Sequence, residues 1–334
     1  MPTTTLPSLI DSFGRKIDYL RLSVTDRCDF RCTYCMAEDM TFLPRKEVLS
    51  IEELERVAHI FVALGVAKIR ITGGEPLIRR GVDQLLMTLG NMPGLRELAL
   101  TTNGSQLGQR AQALRDTGVN SVNISLDTLK ASKFRLLTRT GDLATVLAGI
   151  DAAIAAGFER IRLNAVILRG QNDDDILPLT NFAMDKGIDI AFIEEMPLGQ
   201  VNAAGKPLEF VASSEIATLL ESHYRLTPLA SDAQAGPARY WQLGNTSSRL
   251  GLISPHSNNF CASCNRLRVT AEGRLLLCLG NEHSISLRDH LRRGDSDNDI
   301  AEYILRALNS KPERHIFDQP DEPQILRFMN ASGG

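Results

Sequence analysis

Residues 28–35 read Cys28-Asp-Phe-Arg-Cys32-Thr-Tyr-Cys35. Three cysteines fall within these eight residues. Thiolates are soft ligands, and a compact set of them selects zinc, copper(I) or an iron–sulfur cluster. A structural zinc site closes with four protein ligands. From Cys35 onward to Glu47 there is no further His or Cys. Three thiolates leave one coordination position open, and a four-iron cluster held this way offers one iron to a small molecule.

The loop follows a predicted strand, Tyr19 to Thr25, and an alternation of strands and helices follows the loop. Ser50 and Glu53 form a capping-box pattern. They open an amphipathic helix carrying Leu54, Val57, Phe61 and Leu64, with Gly65 as its stop. Further strands are predicted at Lys68–Thr72, Glu97–Thr101, Ser121–Leu126, Arg160–Leu168 and Asp189–Met196. Helices lie between them, including an Ala-rich helical region ending at Gly157 and one from Asp174 to Lys186. Six such units argue for a parallel sheet covered by helices. A complete barrel needs eight, so this one is open and needs a cover. Beyond Ser213 the alternation stops. Short strands at Leu250–Ile253 and Arg266–Val269, a Glu272-Gly273 turn and two short helices mark a different organisation.

The strands put polar residues on one face. Arg21, Ser23 and Thr25 oppose Leu20, Leu22 and Val24; Lys68, Arg70 and Thr72 oppose Ile69 and Ile71. Asn123, Ser125 and Asp127 repeat the pattern, as do Arg162 and Asn164. Strands covered on both faces read as near-continuous apolar runs. A sheet with one wet face explains the pattern; so does a lumen that holds a large polar ligand. Arg21, Arg70 and Arg162 would then converge on an anion, since the guanidinium fork binds phosphate oxygens bidentately.

The chain has 334 residues, a net charge of −3, 43% hydrophobic and 23% charged residues. This is an ordinary globular balance with no chain-wide field for nucleic acid or a membrane surface. No apolar run approaches the roughly 20 residues that span a bilayer, and Met1 to Leu9 lacks the pattern of a signal peptide. A cytoplasmic enzyme is expected, in which cysteines serve as ligands or catalysts. The six cysteines divide into two threes, the second being Cys261, Cys264 and Cys278. Zinc with His256 or His283, or a second three-thiolate cluster, would satisfy that set. Arg266 and Arg268 follow it on one face of a predicted strand.

With Tyr34 before its last cysteine, the CxxxCxxC loop resembles the signature of the radical S-adenosylmethionine (SAM) enzymes. Gly73-Gly74-Glu75-Pro76, at the end of a strand, is similar to their GGEP motif. From Arg21 through Gly334 the chain resembles the GTP 3′,8-cyclase family of molybdenum cofactor biosynthesis. The landmarks are Arg-Ile-Thr-Gly-Gly-Glu-Pro at 70–76, Thr-Thr-Asn-Gly at 101–104, Asn-Ile-Ser-Leu-Asp at 123–127, Phe-Cys-Ala-Ser-Cys-Asn-Arg-Leu-Arg at 260–268, Cys278 and the terminal Gly-Gly. Asn-Ala-Ser before Gly333 departs from the family's Ile-Gly-Gly ending.

The resemblance implies an α/β fold, a partial (β/α)6 TIM-type barrel with a C-terminal α+β domain. Residues 1–210 would carry the first [4Fe-4S] cluster on Cys28, Cys32 and Cys35. Residues 211–334 would carry the second on Cys261, Cys264 and Cys278, and the Gly-Gly tail. Tyr34, Gly74, Ser125 and Met196 match SAM contacts. Arg21, Arg70, Thr101, Arg162, Arg266 and Arg268 match GTP contacts, and Gly333 and Gly334 a tail that reaches the active site. The implied chemistry is reductive cleavage of SAM to a 5′-deoxyadenosyl radical, removal of the C3′ hydrogen of GTP, and attack of C3′ on C8. Reduction then gives 3′,8-cyclo-7,8-dihydro-GTP. A flavodoxin- or ferredoxin-type donor, cyclic pyranopterin monophosphate synthase as the next enzyme, and a homodimer are implied partners. The rival expectations are a radical SAM peptide maturase with an auxiliary cluster and, in another class, a zinc-binding interaction module.

Overall fold

The computed structural model describes residues 8–199, 210–230, 236–315, 317, 325 and 327–333. The first strand, β1 (Tyr19–Ser23), runs into the cysteine loop and then α1 (Ile51–Ala63). The Ser50 hydroxyl accepts from the Glu53 N–H at 3.1 Å and Glu53 accepts from the Ser50 N–H at 2.8 Å, so the predicted capping box forms. Such a cap contributes about 1 kcal/mol. Leu54, Val57 and Phe61 of this helix join Leu20 and Leu22 of β1 in one buried core. Truncating one of these leucines to Ala would cost about 2–5 kcal/mol.

The alternation continues with β2 (Lys68–Thr72), α2 (Val82–Gly90), β3 (Glu97–Thr102), α3 (Leu107–Asp116) and β4 (Ser121–Ser125). Two helices, α4 (Ala131–Thr138) and α5 (Leu143–Ala155), follow. The Ala-rich region is thus broken, and the break has a local cause. Arg139 takes a φ of 62°, the one positive value on a non-glycine residue among those described, and Asp142 caps the new helix by accepting from the Thr145 N–H at 2.9 Å. Next come β5 (Arg160–Ile167), α6 (Ile176–Lys186) and β6 (Asp189–Glu194). The last third holds α7 (Ser213–Glu221), β7 (Leu226–Pro228), β8 (Arg239–Leu243), β9 (Arg249–Ile253), β10 (Arg266–Val269), β11 (Arg274–Leu276) and β12 (Ser284–Ser286). It ends with α8 (Leu287–Arg293), α9 (Asp297–Leu308) and α10 (Met329–Ser332).

The described strands form one sheet in the order β12-β11-β10-β1-β2-β3-β4-β5-β6-β9-β8-β7. The six predicted strands lie in its middle, all parallel. The C-terminal third then adds a parallel strand at each edge, β10 beside β1 and β9 beside β6. Antiparallel strands extend both edges. The cover expected from the final third is therefore continuous with the barrel wall. No helix of the described residues is long and apolar enough to cross a membrane.

Candidate active site

The polar strand faces point inward. Arg21, Lys68, Arg70, Thr101, Asn123, Ser125, Arg162 and Asn164 line one cavity of about 770 Å3 together with all six cysteines. That lies in the upper part of the roughly 300–1,000 Å3 range of small-molecule sites. Strand direction fixes where each triad sits. The first loop leaves the C-terminal end of β1. Cys261 and Cys264 precede β10, which runs parallel to β1. The triads therefore occupy opposite ends of the lumen. Five-residue β1 lies between those levels, a span of roughly 17 Å.

The register between them brings like charges together. Arg268, Arg21 and Arg70 are neighbours across β10, β1 and β2. Like charges side by side on a sheet face destabilise it unless an anion compensates. Arg70 is buried; its Nε donates to the Tyr19 hydroxyl at 2.8 Å and its Nη1 to the Leu100 carbonyl at 2.9 Å. Burial opposes ionisation of the Tyr19 phenol, yet the charges of Arg70, Arg21 and Lys68 outweigh it and hold its pKa down to about 6. Burial, then repulsion from Arg70 and Arg266, brings Arg21 down to about 10. Arg268 is lowered further by burial and by its neighbours Arg21 and Arg266. Lys68 pairs with Glu97 at 2.8 Å. Arg162 sits in the level of Asn123 and Thr101 and donates to Asn164 at 3.0 Å and to the Tyr240 hydroxyl. Arg266 packs over the Phe260 ring at 4.8 Å.

The first cysteine loop is held from several sides. Its Arg31 and Thr33 N–H groups donate to the carbonyls of Thr138 and Leu137, each at 2.9 Å. Arg139, at the turn with the positive φ, donates to the Arg31 carbonyl at 3.1 Å. Glu75 accepts from the Asn103 N–H at 2.7 Å, the Leu77 N–H at 2.9 Å and the Thr102 hydroxyl at 2.9 Å. Burial still pushes its pKa up to about 7. Asn103 in turn donates to Asp29 at 2.6 Å. The Tyr34 hydroxyl donates to Asp127 at 2.7 Å. Burial raises Asp127 to about 6.

The two glycines of residues 73–76 serve a close approach within the protein. A Cβ on Gly73 would lie 2.5 Å from the Thr25 carbonyl oxygen, and one on Gly74 2.3 Å from that of Arg27. The Gly74 N–H donates to the Thr25 carbonyl at 2.8 Å. Gly74, Ser125, Met196 and Tyr34 all face the cavity near the first loop. At its other end the chain returns to the lumen. The Gly333 carbonyl accepts from Arg268 Nη1 at 2.6 Å, and a Cβ there would meet Thr72 at 2.9 Å. Gly334 lies outside the described residues.

Both triads suit iron–sulfur clusters. All six cysteines are free thiols. The Phe30 N–H donates to the Cys28 sulfur at 3.4 Å, and the backbone N–H groups of Asn330, His315, Arg266 and Gly280 favour the thiolates of Cys35, Cys261, Cys264 and Cys278. Hydrogen bonds to sulfur are one means by which a protein tunes a cluster. Among the described residues no group of three or more His, Cys, Asp or Glu is arranged around a single metal ion. Neither histidine of the zinc alternative lines the cavity; the His256 ring bonds the Glu195 carbonyl at 2.7 Å and His283 is exposed.

Sequence reasoning missed several supports. Glu75, Asn103 and Asp127 lie inside the quoted motifs, so their signal was present. Arg15 and Lys311 lie in none. Buried Arg15 donates to the Cys261 carbonyl at 2.9 Å and the Glu313 carbonyl at 2.7 Å. Buried Lys311 donates to the Arg266 carbonyl at 3.2 Å and to the Leu277 carbonyl.

Comparison with known proteins bears on the same residues. The Radical SAM superfamily model matches residues 22–183, and the Molybdenum Cofactor Synthesis C model matches residues 188–317. A GTP 3′,8-cyclase of Pseudomonas entomophila is 58% identical over 329 residues, covering 98% of each chain. One of Marinobacter nauticus is 55% identical over 335 residues and covers all of both chains. Among solved structures, Streptococcus suis SuiB bound to S-adenosylmethionine superposes with a TM-score of 0.58 at 14% identity, over 94% of this chain and 77% of that one. Methylornithine synthase does so with a TM-score of 0.50 at 14% identity, over 63% of each chain. Those two likenesses concern the fold alone. Two triads at opposite ends of a partial barrel, an arginine row between them and this whole-length identity converge, and the chain belongs to the GTP 3′,8-cyclase family of radical SAM enzymes.

Proposed function

We propose that this chain converts GTP to 3′,8-cyclo-7,8-dihydro-GTP, the first step of molybdenum cofactor biosynthesis, with two [4Fe-4S] clusters and SAM as cofactors. The observation that carries the reading is the row Arg268–Arg21–Arg70 between the two triads. Three adjacent guanidinium groups in a lumen call for a polyanion, and a triphosphate supplies one. When bound, the first cluster and SAM supply a 5′-deoxyadenosyl radical and the second cluster a binding site beside guanine.

The residues divide the work. Cys28, Cys32 and Cys35 hold the first cluster, with Tyr34, Gly74, Ser125 and Met196 around SAM. Cys261, Cys264 and Cys278 hold the second. Arg21, Arg70 and Arg268 take the triphosphate in charge-assisted hydrogen bonds, while Arg162, Thr101 and Arg266 orient the nucleoside. Holding C3′ next to the radical source confines reaction to that carbon. Gly333 sits beside Arg268, and the Gly-Gly tail takes part in the cyclisation. Residues 1–210 carry the first cluster and the SAM contacts, 211–334 the second cluster and the tail, and the GTP contacts come from both. A flavodoxin- or ferredoxin-type donor, cyclic pyranopterin monophosphate synthase downstream, a homodimer and a cytoplasmic location fit this reading.

Anaerobic reconstitution tests it. About eight irons per chain, 5′-deoxyadenosine, and GTP converted to a cyclised isomer are expected from SAM and GTP under reduction. SAM cleavage with GTP untouched would send the search to another substrate.

A further inference from the structure

The C-terminal segment is held at two separate places. α10 is four residues long, far too short to hold itself as an isolated helix. Asn330 within it is 1% exposed. Its Nδ2 donates to the Asp26 carbonyl at 3.0 Å, in the stretch that leads into Cys28. Its backbone N–H lies close enough to Cys35 to favour the thiolate there. Further along the tail, the Gly333 carbonyl meets Arg268. One short segment therefore bonds the stretch leading into the first triad at one end and the arginine row at the other.

The choice of Asn is informative. Its Oδ1 is buried and finds no donor among the described residues. Burying such an oxygen is unfavourable, and an apolar side chain of similar size would avoid the cost. Space filling alone does not explain this residue; the bond to Asp26 does.

We propose that Asn330 is a positioning residue that ties the tail to the first cysteine loop, so that Gly333 meets Arg268 when that loop is in place. The GTP arm of this proposal rests on the cyclase reading above; the electrochemical arm does not. An N–H donor to a cluster thiolate stabilises the added electron. Releasing the tail withdraws that donor from Cys35 and loosens the contact at Arg268.

The test uses reconstituted holoenzyme with Asn330→Leu, Asn330→Ala, and a chain ending at Ser332. The midpoint potential of the first cluster is read by electron paramagnetic resonance, its signal identified by its response to SAM. In both Asn330 variants a more negative potential is expected, with kcat/KM for GTP reduced roughly tenfold and more 5′-deoxyadenosine formed per GTP cyclised. The shortened chain keeps Asn330, its bond to Asp26 and its N–H beside Cys35, so it is expected to lose cyclisation at a wild-type potential. Matched iron content and Tm exclude a folding defect. A wild-type potential and wild-type product ratio in Asn330→Leu would overturn the tether. So would a shortened chain whose potential moves as far as that of the Asn330 variants. If the unmodified enzyme cleaves SAM but leaves GTP untouched, the cyclase reading fails while the potentials still decide the tether.

Discussion

The sulfurs of Cys28, Cys32 and Cys35 feel the carboxylates of Glu75, Asp29 and Asp127, whereas Cys261, Cys264 and Cys278 sit among Arg15, Arg266 and Lys311. Burial, reinforced by Glu75 and Asp29, pushes the Cys28 thiol far up, and burial takes Cys35 to about 12. Burial opposes ionisation of Cys264 too, but Arg266 and Lys311 outweigh it and bring that thiol down to about 7. The same contrast acts on a cluster. Nearby negative charge disfavours an added electron and positive charge favours it. The first site is therefore built for the lower potential, which suits a strong reductant, and the second for holding an electron-rich group next to an anionic substrate.

The largest effect comes from removing a ligand at each end. Cys28→Ala is expected to abolish SAM cleavage. Cys264→Ala should keep it while losing cyclisation. Each should lose about half the iron. Equal loss of SAM cleavage in both would break the division between the sites.

Next is the row that separates them. Arg268→Ala removes charge-assisted bonds worth about 1.5–3 kcal/mol, so GTP affinity should fall roughly ten- to hundredfold with SAM cleavage by dithionite retained. Unchanged affinity in a calorimetric titration would make Arg268 structural.

The charge contrast itself is sharpened by a pair of variants with opposite signs. Lys311→Met should shift the second cluster to a more negative potential, and Glu75→Gln, compared above about pH 8 where the Glu75 carboxyl is ionised, the first to a less negative one. A unit charge several ångströms away at an effective dielectric of about 20 contributes on the order of 1–2 kcal/mol. Potentials that move in the same direction would show that local charge does not set the difference.

The smallest expected effect is at Tyr19. Tyr19→Phe removes the acceptor of Arg70 Nε. At about 1 kcal/mol this should raise KM for GTP a few-fold and leave kcat alone. A drop in kcat with constant KM would instead place the phenol at the reacting centre.

Much of this was legible because it is written locally. The polar alternation at Arg21, Arg70 and Arg162 follows from the two-residue period of a strand, and the lumen confirmed it. The capping box at Ser50 needs only four residues. The reason for Gly73 and Gly74 was less accessible: their partners are the carbonyls of Thr25 and Arg27, so the close approach is to the protein's own backbone. The break at Arg139 carried no Gly or Pro signal at that residue, which takes its positive φ where its side chain meets the cysteine loop.

The sequence by itself determined the two cysteine triads, the six central strands and the polar side chains along their inward faces. These depend on residue type and short spacing. Only the tertiary structure decided that β10 runs beside and parallel to β1, because pairing between distant segments is set by burying both faces of the sheet. That single pairing places Arg268 next to Arg21 and sends the two triads to opposite ends of the lumen. It also gives the tail its seat, since Gly333 finds Arg268 only once the last third of the chain has joined the barrel wall.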